Sequence, residues 1–112
     1  MTEITENALE PAYDFWVAKD FWPHLVAAGV IGGLDPDHIK YNPHSNGYVH
    51  YEVPRGKELV LGLIEIFETW FAHAIDPFTW VDKALKNGTP IPKKLWLSIK
   101  KSLHAIVNMT RS

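Results

Sequence analysis

The sequence predicts a mainly α fold: a compact bundle of about five helical segments with a small exposed β-hairpin insert. Three observations predict it: prolines that mark helix starts, two long stretches with helical periodicity, and one short stretch of strict alternation. The chain has 112 residues, of which 46% are hydrophobic, which suffices for one core and little more. We therefore expect a single domain over residues 1–112, with residues 1–9 as a flexible tail.

Proline positions divide the helical part of the chain. Proline is tolerated in the first turn of a helix and disrupts its interior, so each X-Pro step before an apolar stretch indicates a helix start. The predicted segments are 11–21, 23–31, 57–75, 77–87 and 92–109. The start at Asp76-Pro77 is the best defined, because Asp76 can cap free amides, and Gly88 can supply the left-handed residue that ends the same helix.

The insert between the second and third helices has the alternation of a strand in residues 48–53. A three-residue loop, Ser45-Asn46-Gly47, places apolar residues together on one face, whereas a two-residue turn mixes the two faces. The predicted pairs are Ile39 with Val53, Tyr41 with Tyr51, Pro43 with Val49, Lys40 with Glu52, Asn42 with His50, and His44 with Tyr48. Pro43 favours an exposed ribbon over the middle of a sheet.

The long helix over 57–75 is apolar around most of its circumference, so we expect it to form the centre of the core. Its polar side is narrow and consists of Glu58, Gly62, Glu65, Thr69, Ala72 and His73. A membrane span is not expected, because Glu65 and Glu68 near its middle would each cost about 2.5–3.5 kcal/mol in a bilayer.

The last helix is amphipathic, and its charge is one-sided. Its apolar residues fall within an arc of about 120°, and they are Leu95, Trp96, Ile99, Leu103, Ile106 and Val107. The opposite arc carries the basic residues Lys93, Lys94, Lys100 and Lys101. Residues 1–76 hold twelve acidic and four basic residues, whereas residues 77–112 hold one acidic and seven basic residues. The basic end either folds against the acidic remainder or offers a basic face to a partner.

Aromatic residues are dense near the N-terminus, between Tyr13 and Trp22. Trp16 and Trp22 are candidate partner-binding residues, because Trp and Tyr dominate the energetic centres of protein interfaces. The same spacing is also typical of core residues. The sequence leaves both interpretations open.

Residue types that carry catalysis or bind metals show no recognisable pattern here. The chain has no Cys, no nucleotide-binding glycine loop and no paired His ligands on a helix. His44 and His50 are the nearest approach to a metal site, on one face of the predicted hairpin, and two ligands are too few. We therefore predict no metal site and no cofactor, and we favour a protein that is not an enzyme.

The leading functional hypothesis is a non-enzymatic protein–protein interaction module, such as an accessory subunit, adaptor or inhibitor. It would bind a protein partner through Trp16, Trp22 and the four lysines of the last helix. One alternative is a small enzyme or ligand-binding protein with an aromatic-lined pocket near Glu65, Thr69 and His73. Another is binding of nucleic acid or an anionic membrane surface through the basic last helix. The polar N-terminus and the lack of Cys favour a cytoplasmic location.

Overall fold

The computed structural model describes residues 9–43 and 49–110. Within these residues the chain forms five α-helices, one short 3₁₀ turn and one antiparallel hairpin. In chain order they are α1 (Tyr13–Val17), α2 (His24–Gly32), the 3₁₀ turn (Pro36–His38), β1 (Lys40–Pro43), β2 (Val49–Glu52), α3 (Leu59–Trp70), α4 (Pro77–Lys86) and α5 (Lys93–Thr110). The predicted mainly α fold with a small hairpin insert is confirmed.

Two helices are shorter than predicted, and a backbone bridge joins the segments that follow them. The helix predicted over 11–21 comprises only α1, and the helix predicted over 57–75 ends at Trp70. Trp22 N–H donates to the Ile75 carbonyl oxygen (2.7 Å), and Ile75 N–H donates to the Trp22 carbonyl oxygen (3.1 Å). Backbone groups that pair with a distant segment cannot also extend a helix through Trp22 or Ile75, and α1 and α3 each end five residues before the bridge.

The hairpin has the predicted register. Lys40 pairs with Glu52, Tyr41 with Tyr51, Asn42 with His50, and Pro43 with Val49. The Tyr41 and Tyr51 rings meet edge to face, with centroids 5.8 Å apart. The predicted pair His44–Tyr48 and the loop 45–47 lie outside the described residues. An alternation of period two, constrained by one loop length, therefore sufficed to fix the pairing.

Helix α4 begins and ends as its sequence predicts. The Asp76 carboxylate accepts hydrogen bonds from Thr79 N–H (3.0 Å) and Thr79 Oγ1–H (2.6 Å). Burial opposes ionisation of Asp76, but these hydrogen bonds outweigh it and lower its pKa. At the other end Gly88 has φ of 75°, and Thr89 N–H donates to the Ala84 carbonyl oxygen (2.9 Å). This left-handed cap closes the helix.

The buried apolar residues of the described chain form one continuous cluster, in which α2 and α3 pack closely. Gly32 allows that close approach, because a Cβ atom there would lie 2.8 Å from Val60 Cγ2. The cluster also receives the aromatic rings of Trp22, Phe67 and Trp80, which are fully buried.

The predicted N-terminal tail lies mostly outside the described residues. At its last position Leu9 is buried, and its carbonyl oxygen accepts a hydrogen bond from Asp35 N–H (2.7 Å). Among the described helices, none is long and apolar enough to cross a membrane.

Candidate partner-binding surface

Two of the four lysines predicted to bind a partner are instead paired within the chain. Lys94 Nζ lies 2.8 Å from a Glu10 carboxylate oxygen, and Lys101 Nζ lies 3.2 Å from an Asp14 carboxylate oxygen. The Ser98 hydroxyl, on a buried residue, donates to the other Asp14 oxygen at 2.6 Å. The basic last helix thus folds partly against the acidic N-terminal segment.

The Asp14 carboxylate joins α1 to α5. The hydrogen bond from Ser98, followed by the hydrogen bond and charge of Lys101, lowers its pKa below the ordinary value. A lowered folded-state pKa means that the ionised carboxylate stabilises the fold. That stabilisation is present above the unfolded-state pKa and is lost as the pH falls through the folded-state pKa.

We therefore expect Asp14→Asn to lower the free energy of unfolding at pH 7, and the difference from the unsubstituted chain to shrink below about pH 4. Urea unfolding at several pH values measures this. Asp20→Asn, at another exposed aspartate of the same segment, is the matched control. A difference that persists unchanged at low pH would mean that the Asp14 charge is not involved. Because Asp14 is exposed, salt should also reduce the difference.

The N-terminal aromatic residues divide between core and surface. Trp22 is fully buried, and its indole N–H donates to the Trp16 carbonyl oxygen (2.8 Å). This corrects its assignment as a partner-binding residue: its side chain belongs to the core. Trp16 is half-buried, with its ring 5.2 Å from that of Phe15. Tyr13 is also half-buried, and burial, together with the nearby Glu10 carboxylate, raises its pKa to about 12.

An apolar groove lies between α4 and α5. It has a volume of about 180 Å³ and is lined by Phe78, Val81, Asp82, Leu85, Trp96, Ile99 and Leu103; we call it the α4–α5 groove. Val81 and Ile99 form its buried floor, whereas Leu85, Trp96 and Leu103 are between 40 and 47% exposed. Large apolar side chains gathered around a shallow groove are typical of a protein-binding surface.

Basic residues dominate the two helices that form the groove. Helices α4 and α5 together carry six lysines and one acidic residue, Asp82. Lys100 Nζ lies 5.7 Å from the centre of the Trp96 ring, which is within range of a cation–π contact. Lys86 Nζ lies 2.8 Å from Asp82, and Lys93 is exposed. Asp82, the acidic residue that lines the groove, is thus paired with Lys86, while Lys94 and Lys101 are paired with the N-terminal segment and Lys93 and Lys100 are exposed on α5.

The residues of the predicted pocket do not meet in a cavity. Glu65 and Thr69 are exposed on α3, and His73 is exposed beyond its end. The Thr69 hydroxyl donates to the Ile66 carbonyl oxygen (2.6 Å). The larger clefts described in the chain are lined by other residues, such as His38 and Glu52 at the base of the hairpin, where one of about 330 Å³ lies. The aromatic-lined pocket therefore has no structural support among the described residues.

The described part of the chain contains no group of three or more His, Asp or Glu side chains that could hold a metal ion. His50 lies on the hairpin, with Nε2 4.0 Å from the Glu52 carboxylate. His44 lies outside the described residues.

Sequence reasoning named Trp96 and Leu103 only as members of the apolar arc of the last helix, and it missed the groove. Periodicity alone gave no signal, because the burial of Leu95 and Ile99 toward one edge of that arc and the exposure of Trp96 and Leu103 toward the other are properties of the folded chain. An arc of about 120° is wider than one short neighbour can cover. Helix α1, which packs on α5, has only five residues.

Comparison of the chain with protein-family models, curated protein sequences and solved structures gave no match.

Proposed function

We propose that this chain is a non-enzymatic protein-interaction module that binds an acidic amphipathic helix of a partner protein in the α4–α5 groove. It would act as an accessory subunit, adaptor or inhibitor in the cytoplasm. The observation that carries the proposal is the exposure of Leu85, Trp96 and Leu103 around one shallow apolar groove.

The spacing of the groove residues favours a helix as the ligand. Phe78 and Leu85 are seven residues apart on α4, and Trp96 and Leu103 are seven apart on α5. Each pair spans two helical turns, or about 10 Å. A helix laid between them would present apolar residues at i, i+3 or i+4, and i+7, which is the usual pattern of a helix bound in a groove.

The charge around the groove indicates which charge the polar face of the partner helix should carry. Asp82, which lines the groove, is paired with Lys86, and Lys100 lies over Trp96 at the groove, so its surroundings favour a helix that carries acidic residues beside its apolar stripe. Lys100, which lies over Trp96, is placed to contact such a residue at the edge of the groove.

An anionic lipid or nucleic-acid surface is the competing ligand class for the same helix. A lipid or nucleic-acid surface would contact many lysines of the helix at once, but Lys94 and Lys101 are paired with Glu10 and Asp14. A lipid surface would also use Leu97, which is 53% exposed on α5 and does not line the groove. Leu97 therefore separates the two classes in an experiment.

The test measures binding of a fluorescently labelled helical peptide with Leu at i, i+3 and i+7 and Glu at its other exposed positions. The full chain is titrated into it, and fluorescence anisotropy gives the dissociation constant. We expect binding that Leu103→Glu weakens by about tenfold or more, since this change puts a negative charge beside the acidic helix at the exposed rim of the groove.

Leu97→Glu is the matched control, because it makes the same change on the same helix away from the groove. It should leave the dissociation constant within about twofold. Binding of the chain to vesicles with anionic headgroups and to a DNA duplex is measured in the same way. Absence of peptide binding, or equal loss in the two variants, would refute the proposal. Salt-sensitive binding to vesicles or DNA without peptide binding would favour the competing class.

A further inference from the structure

A second exposed apolar surface lies on α3, away from the residues that line the groove. Leu59 and Ile66 are 71% and 49% exposed, and they lie seven residues apart with exposed Gly62 between them. Glu58 and Glu65 are exposed on the adjoining side of the helix. We call these five residues the α3 outer face. Large apolar residues left uncovered in register along a helix indicate a contact surface.

The α3 outer face has the chemistry that the α4–α5 groove would recognise. Its apolar residues have the two-turn spacing of the groove pairs Phe78–Leu85 and Trp96–Leu103. Residues 58–70 carry three glutamates and no basic residue, whereas at the groove Lys100 lies over Trp96 and Asp82 is paired with Lys86. The two surfaces of one molecule therefore match each other in apolar spacing and oppose each other in charge.

Gly62 suits this face to enter a groove. A Cβ atom at Gly62 would meet no atom within 4 Å, so the backbone there is open to an approaching molecule. The absence of a side chain between Leu59 and Ile66 lets the helix backbone sit low between two flanking helices, as small residues do at close helix contacts.

We infer that the α3 outer face of a second copy of this chain occupies the α4–α5 groove, so that copies join head to tail. This inference rests on the proposed function, because it names the partner of the same groove. In a pair of copies joined this way, the groove of one copy holds the α3 outer face of the other. The outer face of the first copy and the groove of the second therefore stay free to bind further copies. The association continues into a ring or an open chain instead of ending at a dimer.

The contact should be weak, because each surface is only two helical turns long, less than a stable interface of about 800 Å² per partner needs. We expect a dissociation constant between about 1 µM and 1 mM. Salt should weaken the association, since oppositely charged surfaces face each other at the contact.

Sedimentation velocity of the full chain over this concentration range tests the inference. The mean mass should rise with concentration and pass that of a dimer. Ile66→Glu, which disrupts the outer face, and Leu103→Glu, which disrupts the groove, should each stay monomeric. Leu97→Glu, the control, should associate like the unsubstituted chain, and circular dichroism checks that all three variants fold.

The equimolar mixture of Ile66→Glu and Leu103→Glu is the decisive sample. One variant has an intact groove and the other an intact outer face, so a single contact remains possible and the mixture should stop at a complex of two chains. A monomeric mixture, or association that survives in either variant alone, would overturn the inference.

The peptide experiment separates this inference from the proposed function. If the chain stays monomeric at all concentrations but its groove binds the acidic helical peptide, the second copy is excluded as the occupant and the proposed function stands. If the chain stays monomeric and the peptide does not bind either, both fail.

Discussion

Replacement of Trp80 by Ala should lower the free energy of unfolding by about 3–5 kcal/mol, a loss typical of large-to-small changes at buried aromatic residues. Domains of this size have a total stability of about 5–15 kcal/mol, so the variant should melt about 15 °C or more below the unsubstituted chain. Urea unfolding and thermal melts measure the two quantities.

The size of this effect follows from the contacts of Trp80. Its side chain is fully buried, and its ring centroid lies 5.3 Å from that of Phe67 and 4.9 Å from that of Phe71. Its indole N–H donates to the Trp22 carbonyl oxygen (2.8 Å), which also accepts from Ile75 N–H. Removing Trp80 therefore leaves a large cavity and weakens the backbone bridge between Trp22 and Ile75.

Two further variants separate these contributions. Trp80→Phe keeps most of the ring and removes the donor, so it should cost about 1–3 kcal/mol. Trp96→Ala makes the same truncation at a residue that is 40% exposed, and should cost no more than about 1 kcal/mol. Equal losses for Trp80→Ala and Trp96→Ala would contradict the assignment of Trp80 to the centre of the core.

The parts of the fold that could be predicted from the sequence are those determined by local chemistry. The cap at Asp76 and the left-handed residue Gly88 depend on groups within one turn of the helix. The hairpin register depends on alternation and on one loop length, and Tyr41 lies opposite Tyr51 as predicted. In each case the residues that decide the structure are close in sequence.

The sequence extended α1 and α3 too far, and the segments that follow them are joined by long-range pairing. The bridge between Trp22 and Ile75 joins residues far apart in the chain, and no local sequence feature at either residue indicates it. The same limit applies to Trp22 as a candidate site residue. Its spacing from other aromatics suits a core and an interface equally, and only the packed structure shows that it is buried.

The α4–α5 groove was hidden from the sequence for a related reason. Helical periodicity shows that Trp96 and Leu103 belong to an apolar arc, but it does not show which part of the arc a neighbour covers. The covered part depends on α1, which has only five residues and contacts α5 where Asp14 accepts a hydrogen bond from Ser98. A surface that is exposed because no neighbour covers it can be located only when the packing of all the helices is known.

Replacement of Gly29 by Ala should destabilise the chain by about 1–3 kcal/mol, although Ala is the better helix former. A Cβ atom at Gly29 would lie 2.9 Å from the Leu34 carbonyl oxygen and 3.1 Å from Pro36 Cγ. The obstructing oxygen belongs to the backbone just beyond the end of α2, where Leu34 N–H donates to the Gly29 carbonyl oxygen (2.8 Å). It cannot move without disturbing that helix end.

Gly62→Ala is the matched control, because Gly62 also lies within a helix but a Cβ atom there meets nothing within 4 Å. Ala should stabilise the chain by about 0.5–1 kcal/mol at that position, through helix propensity alone. Urea unfolding of both variants should therefore give changes of opposite sign. If Gly29→Ala also stabilised the chain, that result would contradict the close approach of Gly29 to the Leu34 carbonyl oxygen and to Pro36. Because Gly62 belongs to the α3 outer face, the unfolding is measured below about 1 µM protein, where the chain should be monomeric; a loss in Gly62→Ala there would contradict the prediction from helix propensity.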